Sequence, residues 1–170
     1  MKFRTIILFV LACLFSMGGM VFGQIAPVDF ETGGNGADWT WTVAENADNP
    51  ALEIIANPVS GGINTSATVS KFTAMQTGNP WALFHTGDIG EFTFDATNST
   101  VKIMLHKPVA SDVGIKFEFS GGANHQIIVP NTAINEWEEL SFDFSSQIGV
   151  TFNTVVIIPD FDMAGRTQDN

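Results

Sequence analysis

The stretch "NEWEELSFDF", residues 135–144, gathers Glu136, Glu138, Glu139 and Asp143 around Trp137. Paired carboxylates beside an aromatic platform are the equipment of glycoside hydrolysis. Here, however, Leu140, Phe142 and Phe144 alternate with Glu139, Ser141 and Asp143, the period of a strand with one face buried. The carboxylates at 139 and 143 then share the outer face about 13 Å apart, at ~3.3 Å per residue. A retaining hydrolase needs ~5–5.5 Å between its carboxyl groups and an inverting one ~6.5–9.5 Å. Ser141 also stands where a third acid would help. The expectation is a solvated strand face with no catalytic role.

Other side chains carry the chemistry of recognition. An exposed indole stacks its apolar face on the C–H groups of a sugar ring while its N–H donates a hydrogen bond. Trp81, in "WALF" after Asn79-Pro80, is the leading candidate. Trp39 and Trp41 share one face of a short strand after a glycine loop and are the alternatives, whereas Trp137 at a strand start reads as structural. On 101–106, Lys102, Met104 and His106 alternate with Val101, Ile103 and Leu105. On 114–119, Lys116 and Glu118 face away from the phenylalanines. If those two strands adjoin, Lys102, His106, Lys116 and Glu118 form a polar surface suited to sugar hydroxyls. His85, His106 and His125 lack a close metal-ligand spacing. No serine sits in a nucleophile-elbow context, and no glycine loop opens onto a helix to cradle phosphate.

The elements that must position these residues are strands. Val28-Asp29-Phe30, Glu91–Phe94, Ile115–Phe119 and Leu140–Phe144 alternate apolar with polar, and Val155–Ile158 is apolar on both faces, as a central strand would be. Gly33-Gly34-Asn35-Gly36, Asn49-Pro50, Asn57-Pro58, Gly61-Gly62, Asn79-Pro80 and Gly121-Gly122 punctuate the runs. Ten or eleven short strands with regular turn signals and no amphipathic helix predict an all-β antiparallel sandwich, with the phenylalanines between two sheets.

The N-terminus carries Lys2 and Arg4, an apolar run from Thr5 to Phe15, and Val21-Phe22-Gly23 before Gln24, which predicts a signal peptide over 1–23 and one domain over 24–170. Ser16, Gly18 and Gly19 break the apolar run, so no membrane span is expected. A competing reading makes Cys13 the lipidated residue of a lipoprotein signal; the residues after it stay apolar, which argues against it. The remaining 147 residues keep no cysteine, five basic residues and eighteen acidic ones, a net charge of −13. A secreted or cell-surface protein of that charge is not suited to nucleic acid or anionic lipid.

Taken in order, "VDFET" (28–32), "NPVSGGINTS" (57–66), "WALF" (81–84), "VKIMLHKP" (101–108), "NEWEELSFDFS" (135–145) and "VVIIPDFDMAG" (155–165) resemble an accessory domain of secreted Bacteroidetes proteins. That domain is similar to carbohydrate-binding modules of jelly-roll, galactose-binding-like fold. It often accompanies glycoside hydrolase family 16 laminarinases. The resemblance implies a polysaccharide partner of β-glucan type, an attached catalytic domain, and a structural Ca²⁺ with Glu31 as its candidate carboxylate. It also implies a further strand after the last glycine loop, so the expectation is a domain lacking its last strand and truncated relative to its gene product. The Glu-x-Asp-x-x-Glu motif of those laminarinases does not occur, so the expected function is a non-catalytic polysaccharide-binding module. The alternatives are the leading fragment of a glycoside hydrolase with its catalytic domain beyond Asn170, and a spacer or adhesion domain without sugar affinity.

Overall fold

The computed structural model describes residues 27–119 and 124–170. The signal-peptide reading of 1–23, Cys13 and the Gly121-Gly122 turn lie outside the described residues. Eleven strands follow one another: β1 (Thr42–Ala44), β2 (Glu53–Ala56), β3 (Thr68–Lys71), β4 (Leu83–Thr86), β5 (Phe92–Thr93), β6 (Thr100–His106), β7 (Asp112–Glu118), β8 (Asn124–Pro130), β9 (Trp137–Asp143), β10 (Thr151–Phe152) and β11 (Thr154–Phe161). Among the described residues one 3₁₀ turn, Ser145–Gln147, occurs, between β9 and β10. Among the described residues no helix is long and apolar enough to cross a membrane.

Among the described residues every strand pairing is antiparallel. A five-stranded sheet runs β1-β4-β11-β7-β8, and β6 pairs with β9, β2 with β3 and β5 with β10. β11 lies at the centre, flanked by β4 and β7, which explains why Val155, Val156 and Ile158 are all buried. Val113, Ile115 and Phe117 from β7 meet Leu140 and Phe142 from β9 in one cluster, completed by Phe92, Phe94, Phe144, Phe152 and Val155. Val101, Ile103 and Leu105 of β6 pack against it. One apolar cluster thus joins the inner faces of two antiparallel sheets, consistent with an all-β sandwich. Its centre is aromatic: Phe94 stacks on Phe144 at 5.2 Å, and Phe117 meets both rings edge-on at 5.2 and 5.0 Å.

Two local expectations are corrected. Val28–Phe30 is not a strand. The Asp29 carboxylate accepts the N–H groups of Glu31 and Asn35, both at 3.1 Å, and the Asp29 and Phe30 N–H groups turn back to the Asn35 carbonyl. A side chain that satisfies its own backbone competes with the ladder and wins here. Phe119, expected in the core, lies beyond the end of β7 and is half-buried.

β11 also carries an irregularity that alternation does not predict. Ile158 pairs with Gly114 but Phe161 pairs with Asp112, so β11 spends one extra residue there, around Pro159 and Asp160. Proline in a central strand belongs at such a bulge, and a bulge re-aims its neighbours.

Candidate functional site

The pairing of β1 with β4 builds the site. Ala44 lies opposite Leu83, so the chain leaving β1 at Glu45 runs beside the chain entering β4 at Trp81. Glu45 takes a left-handed backbone (φ 59°), as do Asp48 (58°) and Asn49 (41°). Side chains other than glycine adopt that region at some cost, so the loop must be held from outside. It is. Asn46 is buried, accepts the Met75 N–H at 2.9 Å and donates its amide to the Thr73 carbonyl at 2.7 Å. Asn79 donates its backbone N–H to the Glu45 carbonyl at 2.9 Å and its amide to Glu45 Oε2 at 2.6 Å.

The two loops enclose an open depression of about 270 Å³ lined by Glu45, Asn46, Asn49, Thr77, Gly78 and Asn79. Trp81, two residues beyond the lining residue Asn79, is 40% exposed and directs its indole N–H to Oε2 of the lining residue Glu45 at 3.3 Å. Gly78 is required by space. A Cβ there would lie 2.6 Å from Asn46 Oδ1 and 3.1 Å from the Ala47 nitrogen. Gly78→Ala is expected to destabilise the protein by about 1–3 kcal/mol through overpacking, read as a lower midpoint in urea at unchanged m. An unchanged midpoint would show that the loops separate freely.

The 75–81 segment that carries one side of this site is held by a buried ionic network. Arg166 donates Nε to Asp160 Oδ2 at 2.7 Å, Nη2 to the Asp160 carbonyl at 2.5 Å and Nη1 to the Asn79 carbonyl at 2.9 Å. Asn170 donates its amide to Asp160 Oδ2 at 3.0 Å, and Lys107 reaches Asp160 Oδ1 at 3.4 Å and Ser111 Oγ at 2.6 Å. Ser111 in turn donates its hydroxyl to Asp160 Oδ1. Burial alone would raise the Asp160 carboxyl, but the donors Ser111, Asn170 and Arg166 and the Lys107 charge carry it below the ordinary carboxylate value. Burial lowers Lys107, opposed by Asp160. A serine beside a lysine is a known nucleophile pairing, yet here Ser111 gives its hydrogen to Asp160. The group is a tie between β11, the 107–111 turn and the 75–81 segment that carries Trp81.

The other expected site residues do not converge on this depression. Trp39 and Trp41 do not share a strand face as expected: both precede β1, at the end away from Glu45, where Thr40 N–H bonds Asp88 at 2.6 Å. Trp41 is half-buried, edge-on to Phe84 at 5.3 Å and 5.9 Å from Trp39, and donates its N–H to the Gly36 carbonyl at 2.8 Å. Lys102 is exposed and pairs with Glu139 at 2.7 Å. His106 closes β6 opposite Trp137, rings 5.5 Å apart, and its buried Nε2 has no hydrogen-bond partner among the described residues. The composite surface of Lys102, His106, Lys116 and Glu118 does not form, because β6 pairs with β9 while β7 pairs with β8 and β11. Lys116 and Glu118 instead pair with each other at 2.6 Å.

Glu31 has work of its own. Its carboxylate accepts the Ala67 N–H at 2.5 Å, the Thr68 N–H at 3.3 Å and the Thr68 hydroxyl at 3.1 Å, fastening the start of β3. Calcium wants six to eight oxygens, whereas two of these three partners are N–H donors. Among the described residues no three carboxylate, histidine or cysteine side chains gather to hold a metal.

The acids of 135–144 are similarly employed. Glu138 accepts from Thr132 N–H and hydroxyl, each at 2.8 Å, and from Ala133 N–H at 2.9 Å, with Ala133 foremost in holding its pKa down. Asp143 accepts the Ser145 N–H at 2.8 Å and is likewise lowered by Ser145. Trp137 donates its N–H to the Val59 carbonyl at 2.8 Å, tying down the 57–66 loop.

Sequence reasoning missed Glu45, Asp160, Arg166 and Lys107. Glu45 belongs to no periodic pattern. Asp160 did leave a signal, an acid directly after Val155–Pro159 in a strand apolar on both faces, where burial demands a partner. Compared with known proteins, the chain matches no family model and no curated sequence.

Proposed function

We propose that this protein is a secreted, non-catalytic polysaccharide-binding module of jelly-roll type, which holds an attached or neighbouring glycan-degrading enzyme near its substrate. The observation that supports the reading is Trp81: an exposed indole whose N–H is directed to Glu45, a carboxylate that lines an open polar depression together with the amides of Asn46, Asn49 and Asn79. Tethering raises effective concentration without new chemistry, which suits a polymeric substrate.

Affinity electrophoresis of the purified protein through gels containing laminarin or related β-glucans tests it. Losing a central aromatic commonly costs ~2 kcal/mol, roughly thirtyfold in affinity. Trp81→Ala is expected to lose retention on that scale. Trp137→Ala, whose indole is spent on the Val59 carbonyl, is expected to keep it when folded. Repeating the gels with calcium and with a chelator reads the cofactor implied by the resemblance. Release of reducing sugar by the protein, or normal retention of Trp81→Ala, would overturn the reading.

A further inference from the structure

The charge of the same depression is one-sided. Glu45 brings a carboxylate to its wall, and among the described residues no lysine, arginine or histidine lies within ion-pair distance of it. The remaining polar lining is amide and hydroxyl: Asn46, Asn49, Thr77 and Asn79. Glu45 Oε2 is spent on the Asn79 amide at 2.6 Å and the Trp81 indole at 3.3 Å, while no described residue donates to Oε1. A carboxylate oxygen only accepts. Its complement is a hydroxyl that donates, and its mismatch is a second acceptor of the same sign.

We infer that Glu45 sets the specificity of this site, admitting uncharged, hydroxyl-rich glycans and rejecting polymers that carry uronate or sulfate groups. The inference rests on the polysaccharide-binding reading. Glu45 acts in two ways: Oε2 orients the Trp81 ring, and Oε1 accepts from a hydroxyl of the sugar stacked on it. A uronate at the same place sets two like charges together without a proton to share. Near a protein surface that repulsion is worth roughly tenfold in affinity, more at low salt.

The experiment compares retention of the whole protein in gels of a neutral β-glucan and of polygalacturonate at one low ionic strength, each corrected by mobility in a plain gel. Wild type is expected to bind the neutral polymer at least about tenfold better. Glu45→Gln keeps an oxygen for the indole and is expected to bring the two affinities close to parity, mainly by gain on polygalacturonate. Glu91→Gln removes the same charge from an exposed position elsewhere and is expected to leave the ratio unchanged. Equal shifts in the two variants, an unchanged ratio in Glu45→Gln, or Trp81-dependent preference of wild type for polygalacturonate would overturn the inference and leave sugar binding standing. Absence of retention on every polymer would instead overturn the polysaccharide-binding reading beneath it.

Discussion

Arg166→Ala is expected to lower the thermal midpoint by on the order of 10 °C, because it removes one partner from a buried ion pair. The Arg166 side chain is 1% exposed and that of Asp160 4%. Breaking such a pair leaves an uncompensated charge in the interior at a cost of about 3–5 kcal/mol. For a chain of this size each kcal/mol moves the midpoint by roughly 2–4 °C. Lys107, at 3.4 Å, does not replace a guanidinium that makes five hydrogen bonds to Asp160, Met75, Asn79 and Pro80. Acid adds a second signature. Asp160 titrates below its ordinary value of 3.8 in the folded protein, so its stabilisation is complete above that value and is lost as pH falls through the folded one. Asp160→Asn should therefore flatten the decline in stability below about pH 4, while lowering the midpoint at neutral pH by leaving Lys107 and Arg166 together. A midpoint for Arg166→Ala within about 1 °C of wild type would show that the network does not hold the fold.

The other large effect is expected at Phe94→Ala. Phe94 is 2% exposed and its ring lies 5.2 Å from those of Phe92, Phe117 and Phe144 and 5.6 Å from that of Phe152. Its loss opens a cavity among four packed aromatic neighbours that collapses only in part, at about 3–5 kcal/mol. Phe94→Leu, which keeps most of the volume, should cost under about 1.5 kcal/mol. Phe119→Ala, half-buried beyond the strand end, should cost no more than about 1–1.5 kcal/mol, since less apolar surface is regained by water. Urea unfolding of the three variants at constant m ranks them. Equal midpoints for Phe94→Ala and Phe119→Ala would place the core elsewhere.

The same arrangement shows how far pattern carries. Alternation places Phe92, Phe94, Phe117, Phe142 and Phe144 inside, as they are, because a pleated strand sends neighbours to opposite faces whatever lies beyond them. It likewise puts Glu139 and Asp143 on the outer face of β9, where one meets Lys102 and the other accepts the Ser145 N–H. It failed at Val28–Phe30, where a carboxylate satisfied the backbone locally, and at the join of β6 to β7, which period two cannot specify.

What the sequence by itself determined was therefore the class of element and the burial of each strand face, since both depend on spacing along one chain. Strand partners, and with them the site, were decided only by the tertiary structure. Glu45 reaches Trp81 because β1 pairs with β4, and Arg166 reaches Asn79 across 87 residues because a bulge in β11 turns Asp160 toward it. Neither contact has a local signature. A hydrogen bond between distant residues is favourable only once burial of the surrounding apolar surface has already met the entropy of bringing the segments together.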